Sequence, residues 1–168
     1  MLVLIFSLFG VVMGCNVRPM DFKCDDGWTP VQRKVGGGCV KILQIKEFVN
    51  GCILRGGGLS TVRSLEELKI YVNLLKNSGL KIARILAYAS AECKCNDIAC
   101  PITETCNPPS VWSGYGIPIE VLEKVELYYL NENKYGTSIL ITTENESGLT
   151  DNHEGYETSP VVCVTNAS

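Results

Sequence analysis

Nine cysteines in a chain of 168 residues that has a single histidine limit what this sequence can fold into more than any other feature. An intracellular chain would spend such cysteines on metal or redox chemistry. An oxidising compartment turns them into a disulfide framework. The N-terminus argues for the second setting. "MLVLIFSLFGVVMGC" is apolar from Met1 to Met13, too short for a bilayer span, which needs about 20 residues, and suited to the core of a secretory signal peptide. It has no Lys or Arg ahead of the apolar run, so hydrophobicity alone must carry targeting. Val12 and Gly14 place the cut ahead of Cys15, and residues 1–14 are read as signal peptide, 15–23 as a leader and 24–168 as the domain. Two sequons, at Asn145 and Asn166, point the same way. The expected location is extracellular.

The charge balance narrows the partners. A net charge of −3 without a basic stripe argues against nucleic acid and anionic membrane. Along the chain, "CDDGWTPVQRKVGGGC" alternates Trp28, Val31 and Val35 with polar and turn residues, the pattern of a hairpin closed by Cys24–Cys39. Its short loop is one for which closure entropy gives about 3 kcal/mol. "QIKEFVNGCIL" puts Ile45, Phe48, Val49 and Cys52 on one helical face. Gly56 to Gly58 end that helix, and Ser64 with Glu67 form a capping box that starts a second one. Leu65, Leu68, Val72 and Leu75 are its expected buried stripe, and Gly79 its stop. "KIARILAYAS" reads as a strand of the sheet centre, "TSILITT" and "SPVVCVT" as closing strands, and "EVLEKVELYYL" is ambiguous between helix and strand.

Between them, "CKCNDIACPITETCNPPSVWSGYGIP" holds four cysteines, four prolines and little periodicity, a long stapled loop. These elements make one α+β domain. The glycine run is not a phosphate loop, because Leu59, Ser60, Thr61 and Val62 follow where a lysine and a hydroxyl residue are required. It is read as a helix–turn–helix corner. C-x-C-x4-C-x5-C lacks the paired knuckles of a zinc site. The lone His153 lies in a polar stretch, and Glu66, Glu67, Glu120, Glu123 and Glu126 read as helix-start or solvated carboxylates. No catalytic set emerges, and the chain is read as a non-enzyme.

Several of these stretches together resemble a C-type lectin-like domain, of the divergent secreted kind found in nematodes: "CDDGW", "CVKI", "FVNGCILRGGGLSTVRSLEEL", "IARILAYASAEC" and "LTDNHEGYETSPVVCV". The match is strongest over 24–75 and poor across the long loop. The resemblance implies two helices packed on small antiparallel sheets with a long stapled loop. It also implies a Cys52–Cys163 disulfide, and makes Cys24–Cys39 the extra hairpin bond of the longer family variant. The second inner disulfide of the family is missing, so the four loop cysteines are expected to pair among themselves. Of three possibilities, Cys93–Cys106 with Cys95–Cys100 comes first. Cys15 is then the odd one out, available for a disulfide-linked dimer.

Sugar-binding members hold calcium with Glu-Pro-Asn or Gln-Pro-Asp and Trp-Asn-Asp triplets. Here the comparable places read "LNEN" and "LTDN". Glu132, Asn133, Asp151 and Asn152 could supply oxygens, but calcium needs 6–8 of them. Neither calcium nor any other cofactor is expected. The implied function is calcium-independent recognition of an extracellular protein or glycan, with Trp112, Tyr115, Tyr128 and Tyr129 as the expected contacts. The rival readings are a disulfide-stapled inhibitor or effector working through the 93–106 loop, and a calcium-dependent lectin.

Overall fold

The computed structural model describes residues 22–33, 36–44, 52–53, 56–93, 99–151 and 159–166. The signal segment, Cys15, Cys95, Asn152, His153 and, apart from Cys52, the face of the first expected helix lie outside these residues. In chain order the elements are β1 (Thr29–Gln32), β2 (Gly37–Leu43), β3 (Gly58–Leu59), α1 (Leu65–Asn77), β4 (Ile82–Tyr88) and β5 (Ala99–Pro101). A 3-10 helix over Ser110–Tyr115, α2 (Ile119–Leu122) and a 3-10 turn over Leu130–Glu132 follow, then β6 (Lys134–Gly136), β7 (Ser138–Thr142), β8 (Leu149–Thr150) and β9 (Val161–Asn166).

The main sheet has seven strands in the order β1-β2-β9-β4-β7-β8, with β3 also on β9; β5 and β6 form a separate pair. One large sheet thus stands where small antiparallel sheets were expected. It is also mixed, because β4 runs parallel to β9 at Arg84 and Val161. The hairpin is as read: Thr29 faces Val40 and Gln32 faces Gly37, Trp28 and Val31 are buried, and Cys24 is bonded to Cys39.

The glycine run does more than turn a corner. Gly56 turns the chain at φ 69°, but Gly58 and Leu59 then pair with Val164 and Cys163 as β3. A Cβ at Gly57 would run into the Val164 carbonyl, so close backbone approach demands glycine there. A strand therefore separates the run from α1. The same approach brings Cys52 to β9, where it is bonded to Cys163.

α1 starts where expected, with the Glu67 amide donating to Ser64 Oγ at 3.1 Å. Its buried face is rotated from the expected stripe. Glu67, Leu68, Tyr71 and Leu75 are buried, whereas Leu65 and Val72 only pack against the core from its edge. β4 sits in the sheet centre and alternates cleanly: Ala83, Ile85 and Ala87 point into the core. There they join Tyr71, Leu75, Ile139, Ile141, Leu149 and Val162 in the main cluster. A smaller cluster of Trp28, Leu43 and Val161 surrounds the Cys52–Cys163 bond. Of "EVLEKVELYYL", only one short helical stretch, α2, is regular.

Candidate functional site

The four expected contact aromatics do not share a surface. Trp112 is fully buried in the main core, set edge-on to Tyr135 at 5.5 Å between ring centroids. It is a core residue and cannot touch a partner. The Pro-rich loop conceals this, because an isolated Trp without periodicity carries no sign of facing inward. Tyr115 is half-buried and packs edge-on to Tyr88 at 6.0 Å. Tyr128 is 53 % exposed and stands edge-on to the half-buried Tyr129 at 5.1 Å. Leu130, two residues on, is exposed as well.

Two depressions flank these aromatics. The larger, about 640 Å³, lies between the end of β4, the Cys93–Cys106 disulfide and the 3-10 helix, with Tyr88, Ser90, Ser110 and Tyr115 in its walls. The smaller, about 230 Å³, has Ile82, Leu140, Thr142 and Thr150 beneath it and Tyr128, Glu126, Glu144 and Asn145 around it. Cys100 is also disulfide-bonded.

The Tyr128 segment is held by a buried carboxylate. Asp151 is 1 % exposed. Its Oδ1 accepts from the Tyr128 amide at 2.5 Å and its Oδ2 from the Gly136 amide at 2.6 Å. A Cβ at Gly136 would collide with the Asp151 carbonyl, so this approach also requires glycine. Around the same point Glu126 N donates to Leu149 O at 3.1 Å and Asp151 N to Glu126 O at 3.3 Å. Burial pushes the Asp151 carboxyl above its ordinary range, against the pull of the two amide donors.

The other residues weighed for calcium are dispersed in purpose. Glu132 pairs with Lys134 at 2.9 Å on the surface, and Asn133 takes a left-handed turn at φ 55°. Among the described residues no three His, Cys, Asp or Glu side chains gather where they could hold a metal ion. No helix among them is long and apolar enough to cross a membrane.

The two sequons differ. Asn166 is exposed at the end of β9. Asn145 folds its side-chain amide into the β7–β8 turn, with Nδ2 donating to Leu149 O at 3.0 Å. Its Oδ1 accepts from Gly148 N at 2.8 Å and Ser147 Oγ at 3.0 Å.

One buried polar cluster has no counterpart in the sequence reading. Glu67, 2 % exposed, takes the Arg33 guanidinium at 2.6 Å and the Tyr71 hydroxyl at 2.5 Å on Oε1. Its Oε2 takes the Arg63 amide at 2.6 Å, so the carboxylate reaches past Ser64 rather than closing the reciprocal box. Ser60 Oγ shares a hydrogen bond with Tyr71 Oη at 2.5 Å and accepts from Arg33 at 3.0 Å. Burial works to lower the Arg33 pKa, but its hydrogen bond to Glu67 and that residue's charge outweigh it and the pKa is raised. The Tyr71 phenol is pushed well up, by burial first and by Glu67 next. The sequence does carry a signal, Glu and Tyr at i, i+4 facing one way, but the capping motif accounts for Glu67 on its own. With Ser60 and Tyr71 fully buried, the cluster ties the hairpin to α1.

These features define a mixed α+β domain with a curled seven-stranded sheet, few helices, three complete disulfides among the described residues and a Tyr128 loop clamped from within. No protein-family model and no curated protein matches the chain. Among solved structures, a calcium-independent type II antifreeze protein aligns at 14 % identity over 88 % of this chain and 97 % of that one, with a TM-score of 0.43. A likeness of that size assigns neither fold family nor function.

Proposed function

We propose that this chain is a secreted, non-enzymatic recognition domain of the C-type lectin-like class that binds an extracellular protein or glycan surface without calcium. The observation that carries the reading is the Tyr128–Leu130 segment. Tyr128 and Leu130 are more than half exposed, while the Tyr128 backbone amide is pinned by the Asp151 carboxylate. A loop ordered before binding loses little entropy on contact, and an aromatic supplies area with few rotatable bonds. Calcium has no part in this reading, in which the buried Asp151 carboxylate serves to hold the Tyr128 and Gly136 amides. Glycans at Asn145 and Asn166, and a dimer linked through Cys15, belong to the same proposal.

The test is a glycan array and a cell-surface binding assay on the secreted protein, with and without chelator. Binding that survives chelator and is lost in Tyr128→Ala supports the reading. Binding that chelator abolishes restores the calcium lectin.

The inhibitor or effector reading finds one favourable observation, the Cys93–Cys106 bond in the wall of the larger cleft. Excising the loop cannot test it, since Ala99 and Cys100 are buried and pair with β6. Cys93→Ser with Cys106→Ser opens the staple alone. Surface binding that disappears with that change and survives Tyr128→Ala favours the effector.

A further inference from the structure

The groove beside Tyr128 combines three kinds of surface in about 230 Å³. The half-buried Ile82 over Leu140 gives its base an aliphatic part beside Thr142 and Thr150, the half-exposed Tyr128 ring an aromatic wall, and Glu126 and Glu144 an acidic rim. An arginine or lysine side chain has the complementary make-up: an apolar stem that packs on hydrocarbon and a cationic head that seeks carboxylate and aromatic faces. We infer that this groove receives a cationic side chain, so that the partner is a protein presenting an exposed arginine or lysine. The inference rests on the recognition reading above and narrows it from any extracellular surface to a basic protein one.

The two rim carboxylates are in different states. Glu144 already holds a cation of its own chain, Lys81 at 2.9 Å, with both side chains largely exposed. A surface pair of this kind is weak and readily exchanged. It shows that an ammonium group is accommodated on this rim. Glu126 has no cationic partner among the described residues, yet its backbone is fixed on both sides by Leu149 and Asp151. A placed carboxylate without a counter-ion, next to an exposed ring, is the half of an ion pair that a partner completes. Arginine fits better than lysine, because its planar head can stack on Tyr128 while donating to Glu126. The chain's net charge of −3 adds attraction at a distance.

The test is titration of the full secreted protein with an acetylated, amidated Gly-Arg-Gly peptide and its Gly-citrulline-Gly counterpart, followed by NMR. Asn145 lines the same rim, so any glycan is removed first. The arginine peptide is expected to perturb Tyr128 and Leu140 signals and to weaken as salt rises, and citrulline to bind roughly tenfold less well. Glu126→Gln should lose a similar factor. Lys81→Met, which removes the resident competitor for Glu144, should tighten binding. Both positions are at the surface, and unchanged melting temperatures verify that the variants fold. Equal binding of the two peptides, or wild-type affinity in Glu126→Gln, overturns the inference. If Tyr128→Ala still abolishes surface binding in that case, recognition through this loop stands without the cationic partner.

Discussion

Glu67 and Asp151 are buried to nearly the same degree, at 2 % and 1 % exposure, and the molecule stabilises them by different means. At the hairpin–helix end, Glu67 meets a guanidinium, a phenol and an amide. At the loop end, Asp151 meets two backbone amides and no cation among the described residues. The first arrangement locks two elements by charge, and loses heavily if one charge goes. The second uses fixed dipoles to shape a loop, and its carboxyl takes up a proton more readily than an exposed one because it is buried. The hairpin and α1 are joined through paired charge, and the Tyr128 loop is held by backbone amides, with no cation on Asp151 among the described residues.

The comparison breaks first at Arg33. Arg33→Ala leaves the Glu67 carboxylate buried without its cation and should cost about 3 kcal/mol, the lower end of the range for such losses because the guanidinium is 21 % exposed. Denaturant unfolding measures this; a cost under 1 kcal/mol would mean that the Tyr71 hydroxyl and the Arg63 amide alone suffice for Glu67. Asp151→Asn comes next. The new amide can accept from only one of the Tyr128 and Gly136 amides and turns a donor towards the other, for about 1–3 kcal/mol.

pH separates the two ends more finely. The folded Asp151 carboxyl lies above its ordinary value of 3.8, burial being the main cause. The folded chain therefore holds this proton more tightly than the unfolded chain. The corresponding stability is fully present below the unfolded value and is lost as pH rises through the folded one. Relative to Asp151→Asn, the wild type should gain stability as pH falls from neutral towards 3.8; a loss over that interval would show that the two amides outweigh burial. The smallest effect is expected at the tip of the loop. Tyr128→Ala should stay within about 0.5 kcal/mol of wild type in stability while losing recognition.

Local chemistry was legible in the sequence, and long-range arrangement was not. The hairpin, the start of α1 at Ser64 and the central place of β4 follow from patterns within a dozen residues. That β4 lies parallel to β9, next to a strand far along the chain, is decided by tertiary packing that no window contains. Trp112 shows the same limit in the loop. Its burial depends on Tyr135, which arrives from beyond α2, and nothing in "PPSVWSGYG" distinguishes a core indole from an exposed one. The groove is not legible because Glu126 reads as a solvated carboxylate, Tyr128 as a separate contact residue, and Glu144 carries no signal of its own. Only the β7–β8 turn and the Asp151 clamp bring them to one rim.

The placement of the disulfides has a mechanical consequence. Asn166 lies opposite Gly38 in the β2–β9 ladder, and Phe22 sits against Gly37, so the chain enters and leaves the described domain side by side. Tension applied between those ends would pass from Cys24 across to Cys39, along to Cys52, and across to Cys163. Everything between Cys52 and Cys163, including α1, the sheet centre and the Tyr128 loop, is shunted out of the load path by a covalent bond. A pulling experiment should therefore extend only the stretch from Cys39 to Cys52 together with the chain ends, until reductant is added, and a domain pulled at its two ends would keep the Tyr128 loop unstrained under load.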